Sequence, residues 1–346
     1  MLAQRETALL EFIKNNNECS SKDIHDGINS SVSYATVKRI ITRLTNENLL
    51  ITTGKGKGTK YSLSPVYELF QPVDIEGYYK NEVDQRKIKK NFNFSLIQDT
   101  LRNVTLFTES EEKKLTSLQT AYKNNILQLN RSEYTKELER LAIDLSWKSS
   151  QIEGNTYTLL ETERLLKQKM TASGKTKEEA IMLLNHKEAI DFIIENPKYL
   201  VPLTLPKIED IHSLLTKELS IEKNIRKRRV GITGTNYRPL DNEFQIKEAV
   251  LSMCNLINKR KNIFEKAFLS LVLTSYIQPF TDGNKRTARI ICNAILMYHK
   301  HCPISFRSVD SVEYKKALLL FYEQNAISPF KEMFINQFEF AVKTYF

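Results

Sequence analysis

Ser275-Tyr276-Ile277-Gln278-Pro279-Phe280-Thr281-Asp282-Gly283-Asn284-Lys285-Arg286-Thr287-Ala288-Arg289 is a polar stretch set between two apolar helical patterns. Before it, Phe264 to Ile277 carries Ala267, Phe268, Leu271, Val272 and Tyr276 at helical spacing, and Ile290 to Tyr298 resumes the pattern after it. Pro279 biases Gln278 out of the α region and ends the first helix. Asp282-Gly283-Asn284 makes the tight turn, with Gly283 free to take positive φ and Asn284 suited to cap the second helix. That helix then opens with unpaired N–H groups facing the loop, and Arg286 and Arg289 occupy neighbouring positions on its first turns. Backbone donors, a helix dipole and two guanidinium groups suit a polyphosphate, and Asp282 is a hard oxygen ligand for a magnesium ion bridging its oxygens.

Gln278 to Arg286 resembles the active-site motif of the Fic (Fido) family, His-Pro-Phe-x-(Asp/Glu)-Gly-Asn-(Gly/Lys)-Arg, with Arg289 at the place of the family's second arginine. The resemblance implies a nucleotide site in which Gly283, Asn284, Lys285, Arg286 and Arg289 hold the phosphates of ATP and Asp282 holds magnesium. It also implies transfer of AMP to a hydroxyl side chain of a target protein, or of the chain itself. The family's base is the histidine, and here Gln278 stands in its place. An amide orients a hydroxyl but does not take its proton near neutral pH. General-base catalysis contributes roughly 10²–10⁴ in rate, so transfer is expected to be weak or absent while nucleotide binding is kept.

A second motif lies upstream. Ser149-Ser150-Gln151-Ile152-Glu153-Gly154-Asn155 ends an amphipathic helical pattern with a carboxylate in the last turn, where the dipole disfavours it, and a glycine at the C-cap. The segment is similar to the family's inhibitory motif, (Ser/Thr)-x-x-x-Glu-(Gly/Asn), on Ser149, Glu153 and Gly154. It implies that Glu153 binds Arg289 and restrains the site; the alternative is a solvated glutamate at an ordinary helix end. Between the motifs, Val230-Gly231-Ile232-Thr233-Gly234 follows the basic run Arg226 to Arg229 and has the alternation and branched residues of a short hairpin. In the family a β-hairpin flap here covers the nucleotide and holds the target by backbone pairing. The basic run itself reads as a solvated flank of that flap.

The chain has 346 residues, enough for two or three domains, with 41% hydrophobic and 27% charged residues and a net charge of +10. That excess favours acidic partners such as nucleotides or nucleic acid. No run approaches the ~18 apolar residues of a membrane span, so no membrane partner and a cytoplasmic location are expected. Cys19, Cys254, Cys292 and Cys302 lack paired spacing and read as free thiols. His299, His301 and Cys302 read as a helix end in preference to a metal site.

Residues 1–65 read as a winged helix-turn-helix: helices at Thr7 to Lys14, from Ser21, and from Ser33, then strands at Leu49 to Thr53 and Thr59 to Leu63 around Gly54-Lys55-Gly56-Lys57-Gly58. Its third helix presents Tyr34, Lys38, Arg39 and Arg43 outward, and Lys55 and Lys57 on the wing would meet DNA phosphates. Such modules also dock proteins or form homodimers. Residues 66–109 are a connector with a charged helix at Glu82 to Lys90. Residues 110–346 form the Fic-type domain, mainly α with its small flap, with the inhibitory helix at 133–153. His186, within the helix Lys177 to Glu195, is the nearest substitute base, although a packed histidine is the commoner outcome. The alternative to an enzyme is a DNA-binding regulator whose Fic domain only senses nucleotide.

Overall fold

The computed structural model describes every residue except 1–3, 17 and 29–31, and all side chains of the described residues except those of Gln4 and Lys57. The chain forms two compact units, residues 1–73 with 324–328 and residues 74–323 with 329–346.

In the first unit the apolar stripes fold α1 (Gln4–Asn16), α2 (Ser21–Gly27) and α3 (Tyr34–Asn46) onto a common core of Leu9, Leu10, Ile13, Ile24, Val37, Ile41 and Leu44. Ser33 caps α3 as expected, whereas α2 is capped by Ser20, whose hydroxyl and Asp23 carboxylate form a reciprocal box. Strands β1 (Leu50–Thr53) and β2 (Lys60–Leu63) pair antiparallel, Leu50 opposite Leu63, around a one-turn 3₁₀ helix at Gly56–Gly58. After α4 (Pro65–Phe70), residues from the far end of the sequence close the unit: Ile327 N donates to Leu69 O at 2.8 Å and Ser328 Oγ to Phe70 O at 3.1 Å.

The second unit runs through α5 (Ile75–Tyr79), α6 (Phe94–Gln98), α7 (Glu109–Ile126), α8 (Arg131–Ile152), α9 (Leu159–Gln168), α10 (Lys177–Glu195), α11 (Leu205–Leu215), α12 (Glu243–Lys259), α13 (Ile263–Ile277), α14 (Asn284–Tyr298), α15 (Ser311–Gln324) and α16 (Ser328–Tyr345). Helix α13 is apolar on all sides, and from Phe264 to Ile277 only Lys266 escapes burial. A helix of that composition belongs at the centre of a core. It packs most extensively on α14, and the loop between them is therefore anchored at both ends in the interior.

Two expected elements are absent. Glu82 to Lys90 is a run of turns and extended backbone, not a helix. Lacking an apolar stripe, it gives up helical bonds for partners across the fold: Arg86 reaches Glu323 and Gly234, and Lys90 O accepts from Arg238 N. Val230 to Gly234 is likewise a loop with one turn and no strand pairing, and the sheet of β1 and β2 is the only one among the described residues. Its two limbs follow different neighbours, Arg226 N bonding Pro279 O on one side and Arg238 N bonding Lys90 O on the other, so they do not pair with each other.

Candidate nucleotide site

Helix α13 ends at Gln278, which takes left-handed φ 52° and ψ 58°, outside the right-handed region that the following proline disfavours. Its amide is committed to the protein. Nε2 donates to Ser275 O at 2.6 Å, and Oε1 accepts from Asn284 Nδ2 at 3.1 Å. Asn284 does not cap α14, as the sequence suggested; the cap position is Gly283, at φ 79°, with no side-chain cap. Asn284 instead is the first helical residue and staples the loop, its Oδ1 accepting from Phe280 N and its Nδ2 donating to Phe280 O, both at 2.8 Å. The first N–H groups of α14 consequently have no side-chain acceptor.

Gly283 fits beneath the ring of His212. A Cβ there would stand 3.3 Å from His212 Nε2 and Cδ2. His212 is fully buried, stacks on Phe280 at 3.7 Å between ring centroids and bonds Asp282 O through Nε2 at 2.9 Å. The sequence reading missed it; the signal was a histidine inside the apolar stripe of α11.

The uncapped helix start opens onto a cavity of about 340 Å³. Thr281, Asp282, Asn284, Lys285, Glu153 and Gln278 form its polar side, and Ile152, Val230, Ile232, Leu318, Leu319 and Tyr322 its apolar side. Asp282 is the exposed acid at the rim, its side chain 65% accessible; Oδ1 accepts from Gly283 N and Oδ2 from Arg286 Nη2 at 3.2 Å. Its remaining lone pairs are open to a cation, which fits a magnesium ion held by a single hard carboxylate.

Behind the helix start lie the two arginines, Arg286 and Arg289, both buried. Arg289 donates from Nε to Ser149 Oγ at 2.8 Å, from Nη2 to Ser149 O at 3.0 Å and to Glu153 Oε1 at 2.8 Å, and lies 5.3 Å above the Tyr314 ring. Lys285 Nζ takes the other oxygen of Glu153 at 3.1 Å. Burial pushes the Glu153 carboxyl up, but Arg289 and Lys285 overcome it and hold the group at about 2. Each of the two arginines keeps one buried nitrogen without a hydrogen-bond partner, Arg286 Nε and Arg289 Nη1. Neither arginine lines the cavity itself; Arg286 is tied to it through Asp282 and Arg289 through Glu153. Gly154 follows the glutamate at φ 101° and turns the chain out of α8.

His186 is not at the cavity. It is fully buried, 2.6 Å from Ser149 Oγ, and desolvation together with Arg289 and Arg286 pushes its pKa well below the ordinary value. The ring is therefore neutral and shares one hydrogen bond with the Ser149 hydroxyl, which also accepts from Arg289 Nε. Residues Val230, Gly231, Ile232 and Thr233 do border the cavity, while Gly234 lies beyond its edge. Arg226, read as part of a solvated flank, is fully buried: Nε donates to Gln278 O at 2.7 Å and Nη1 to Arg228 O at 2.9 Å.

In the first unit Lys38 and Arg39 are exposed on α3, and Lys38 sits 5.1 Å over the Tyr34 ring. Arg43 is engaged by Glu6 and Glu47. Lys55 is exposed on the wing; the Lys57 side chain lies outside the described residues. All four cysteines are free and buried. Among the described residues no three His, Cys, Asp or Glu gather as a metal site, and no helix is long and apolar enough to cross a membrane.

Residues 202–296 match the family model of Fic/DOC proteins, and residues 2–74 match that of the penicillinase repressor. A protein adenylyltransferase Fic of Nematostella vectensis is 32% identical over 177 residues, which are 49% of this chain and 41% of the relative. One of Drosophila virilis is 27% identical over 184 residues, 52% of this chain and 37% of the relative. The chain thus spans about two-fifths of the length of the curated relatives it matches. Fic-1 of C. elegans shares the fold, with a TM-score of 0.60 at 20% identity over 68% of this chain and 72% of that one.

Proposed function

We propose that this chain, which carries a Fic/DOC domain and an N-terminal winged helix, binds ATP with magnesium in the cavity over Gln278 and is a restrained, weak protein adenylyltransferase. The observation that carries the reading is the uncapped start of α14, whose Asn284 and Lys285 line that cavity. The phosphates sit against the N–H groups at the helix start, with Lys285 and the arginines taking their charge. Asp282 holds the magnesium, which when bound offsets phosphate charge. The apolar wall of Ile232, Leu318 and Leu319 takes the base, and the target segment lies along residues 230–233.

In AMP transfer a hydroxyl oxygen forms a bond to the α-phosphorus while the bond to the β-phosphate oxygen breaks, and pyrophosphate leaves. The hydroxyl proton needs an acceptor. Gln278 provides none, and both ends of its amide are already occupied. Glu153 adds a second restraint, because the guanidinium it holds is one that the terminal phosphate needs. Free buried thiols support a reducing, cytoplasmic setting.

Calorimetric titration with ATP and magnesium tests binding, and Glu153→Gly should tighten it. With labelled ATP, Glu153→Gly combined with Gln278→His should label itself or a target faster than Glu153→Gly alone, by roughly 10²–10⁴. Absence of labelling in the double variant removes the enzyme reading, and absence of ATP binding removes both. The repressor match at residues 2–74 favours a second role, DNA binding regulated by nucleotide. A labelled duplex titrated at low salt should bind, and Lys55→Glu should weaken it; no binding sinks this role.

A further inference from the structure

We propose that Arg86 is a positioning residue for the cavity cover: clamped on buried Glu323, it fixes where residues 230–233 lie. The proposal rests on reading the cavity as a nucleotide site, but its own evidence is separate. Arg86 lies outside the matched Fic/DOC segment and does not line the cavity.

Apart from one local turn, residues 230–233 pair with no other segment through the backbone, so the cover's course is set at its two feet. One foot is the buried Arg226. At the other, Gly234 turns the chain at φ 86° and its carbonyl accepts from Arg86 Nη2 at 2.7 Å. Arg86 can hold that carbonyl in place because it is itself immobilised. Its side chain is 5% exposed; Nη1 contacts both oxygens of fully buried Glu323, at 3.1 and 3.3 Å, and the guanidinium rests on the Tyr79 ring at 5.0 Å. Tyr78 Oη donates to the same carboxylate at 2.6 Å. Two further bonds run parallel to this one, Asn236 Nδ2 to Asp84 Oδ1 at 2.8 Å and Arg238 N to Lys90 O at 2.8 Å. The 82–90 segment is thus a strap along one limb of the cover.

The basic run supplies a probe, since trypsin cuts after Arg228 and Arg229, which are exposed beside the cover. Arg86→Lys keeps the charge, but a single ammonium cannot hold Glu323 and Gly234 O in the same fork geometry. In the full chain, cleavage at these two bonds, read by mass spectrometry, should rise at least about fivefold in Arg86→Lys at a temperature well below the variant's own thermal midpoint. Its affinity for ATP with magnesium should fall by a similar factor. If Arg86→Lys does not fold, Arg86→Met with Glu323→Met removes both charges with matched apolar volume and should show the same cleavage. Cleavage at the wild-type rate in a folded variant overturns the proposal. Wild-type protein that binds no ATP overturns the nucleotide reading instead, and the cleavage comparison still decides the role of Arg86.

Discussion

Glu153 is a carboxylate whose partners lie on another helix, and its chemistry is set by that pairing. Burial alone would raise its pKa; Arg289 and Lys285 bring it from 4.5 to about 2. A depressed folded-state value means that the pairing's stability is fully present above pH 4.5 and is lost as pH falls through about 2. Glu153→Gln should therefore be destabilised by roughly 1–3 kcal/mol near neutrality, with a gap to wild type that closes between pH 4.5 and 2. Urea midpoints measured across that range check it; a constant gap would show that the ion pairs contribute nothing. Gly283 is decided by backbone and space together. At φ 79°, with His212 ring atoms 3.3 Å from where a Cβ would stand, Gly283→Ala should cost about 1–2 kcal/mol from the left-handed conformation alone. Thermal unfolding measures the loss.

The loop between α13 and α14 is the element on which the site is built, and Asn284 holds it in shape. Asn284→Ala leaves Phe280 N, Phe280 O and Gln278 Oε1 without their partner. Unmade bonds at buried groups cost about 1–3 kcal/mol each before relaxation, so a loss of roughly 2–4 kcal/mol is expected. Binding of ATP should weaken with it, seen by calorimetry on variant protein that is still folded. The sequence made this loop legible because its constraints are local: a proline after Gln278, a glycine at the turn, apolar helices on both sides. It misassigned Asn284, because an asparagine beside a helix start has two local options, and only the neighbouring Gln278 amide and Phe280 backbone choose between them. Arg226 was illegible for a related reason. Among four basic residues in a row, burial of the first is dictated by the carbonyls of Gln278 and Pro279, far away in sequence. The strap at 82–90 had the charge pattern of an exposed helix, and the bonds that unwind it run to Glu323 and Gly234.

At the scale of the whole molecule, the first unit is not closed by its own stretch of chain. Its composition, three helices and a two-stranded wing, was legible from capping residues, apolar stripes and a glycine-rich tip, all of which act within a few residues. The return of residues 324–328 was not, since nothing local marks them. They give Leu69 O the Ile327 N–H and Phe70 O the Ser328 hydroxyl, and they bring the buried side chains of Ala326 and Ile327. A fragment of residues 1–73 should therefore lose these bonds and this burial. Each hydrogen bond contributes about 1 kcal/mol net and each buried aliphatic side chain about 1.5–3 kcal/mol, partly offset by the freedom regained at the fragment's end. The fragment should unfold at a lower urea concentration than the same unit in the full chain, with Trp147 absent from the fragment and circular dichroism as the common signal. Adding a peptide of residues 322–330 should recover part of the difference. Equal midpoints, unmoved by the peptide, would mean that the first 73 residues fold by themselves and that the return of 324–328 adds no stability.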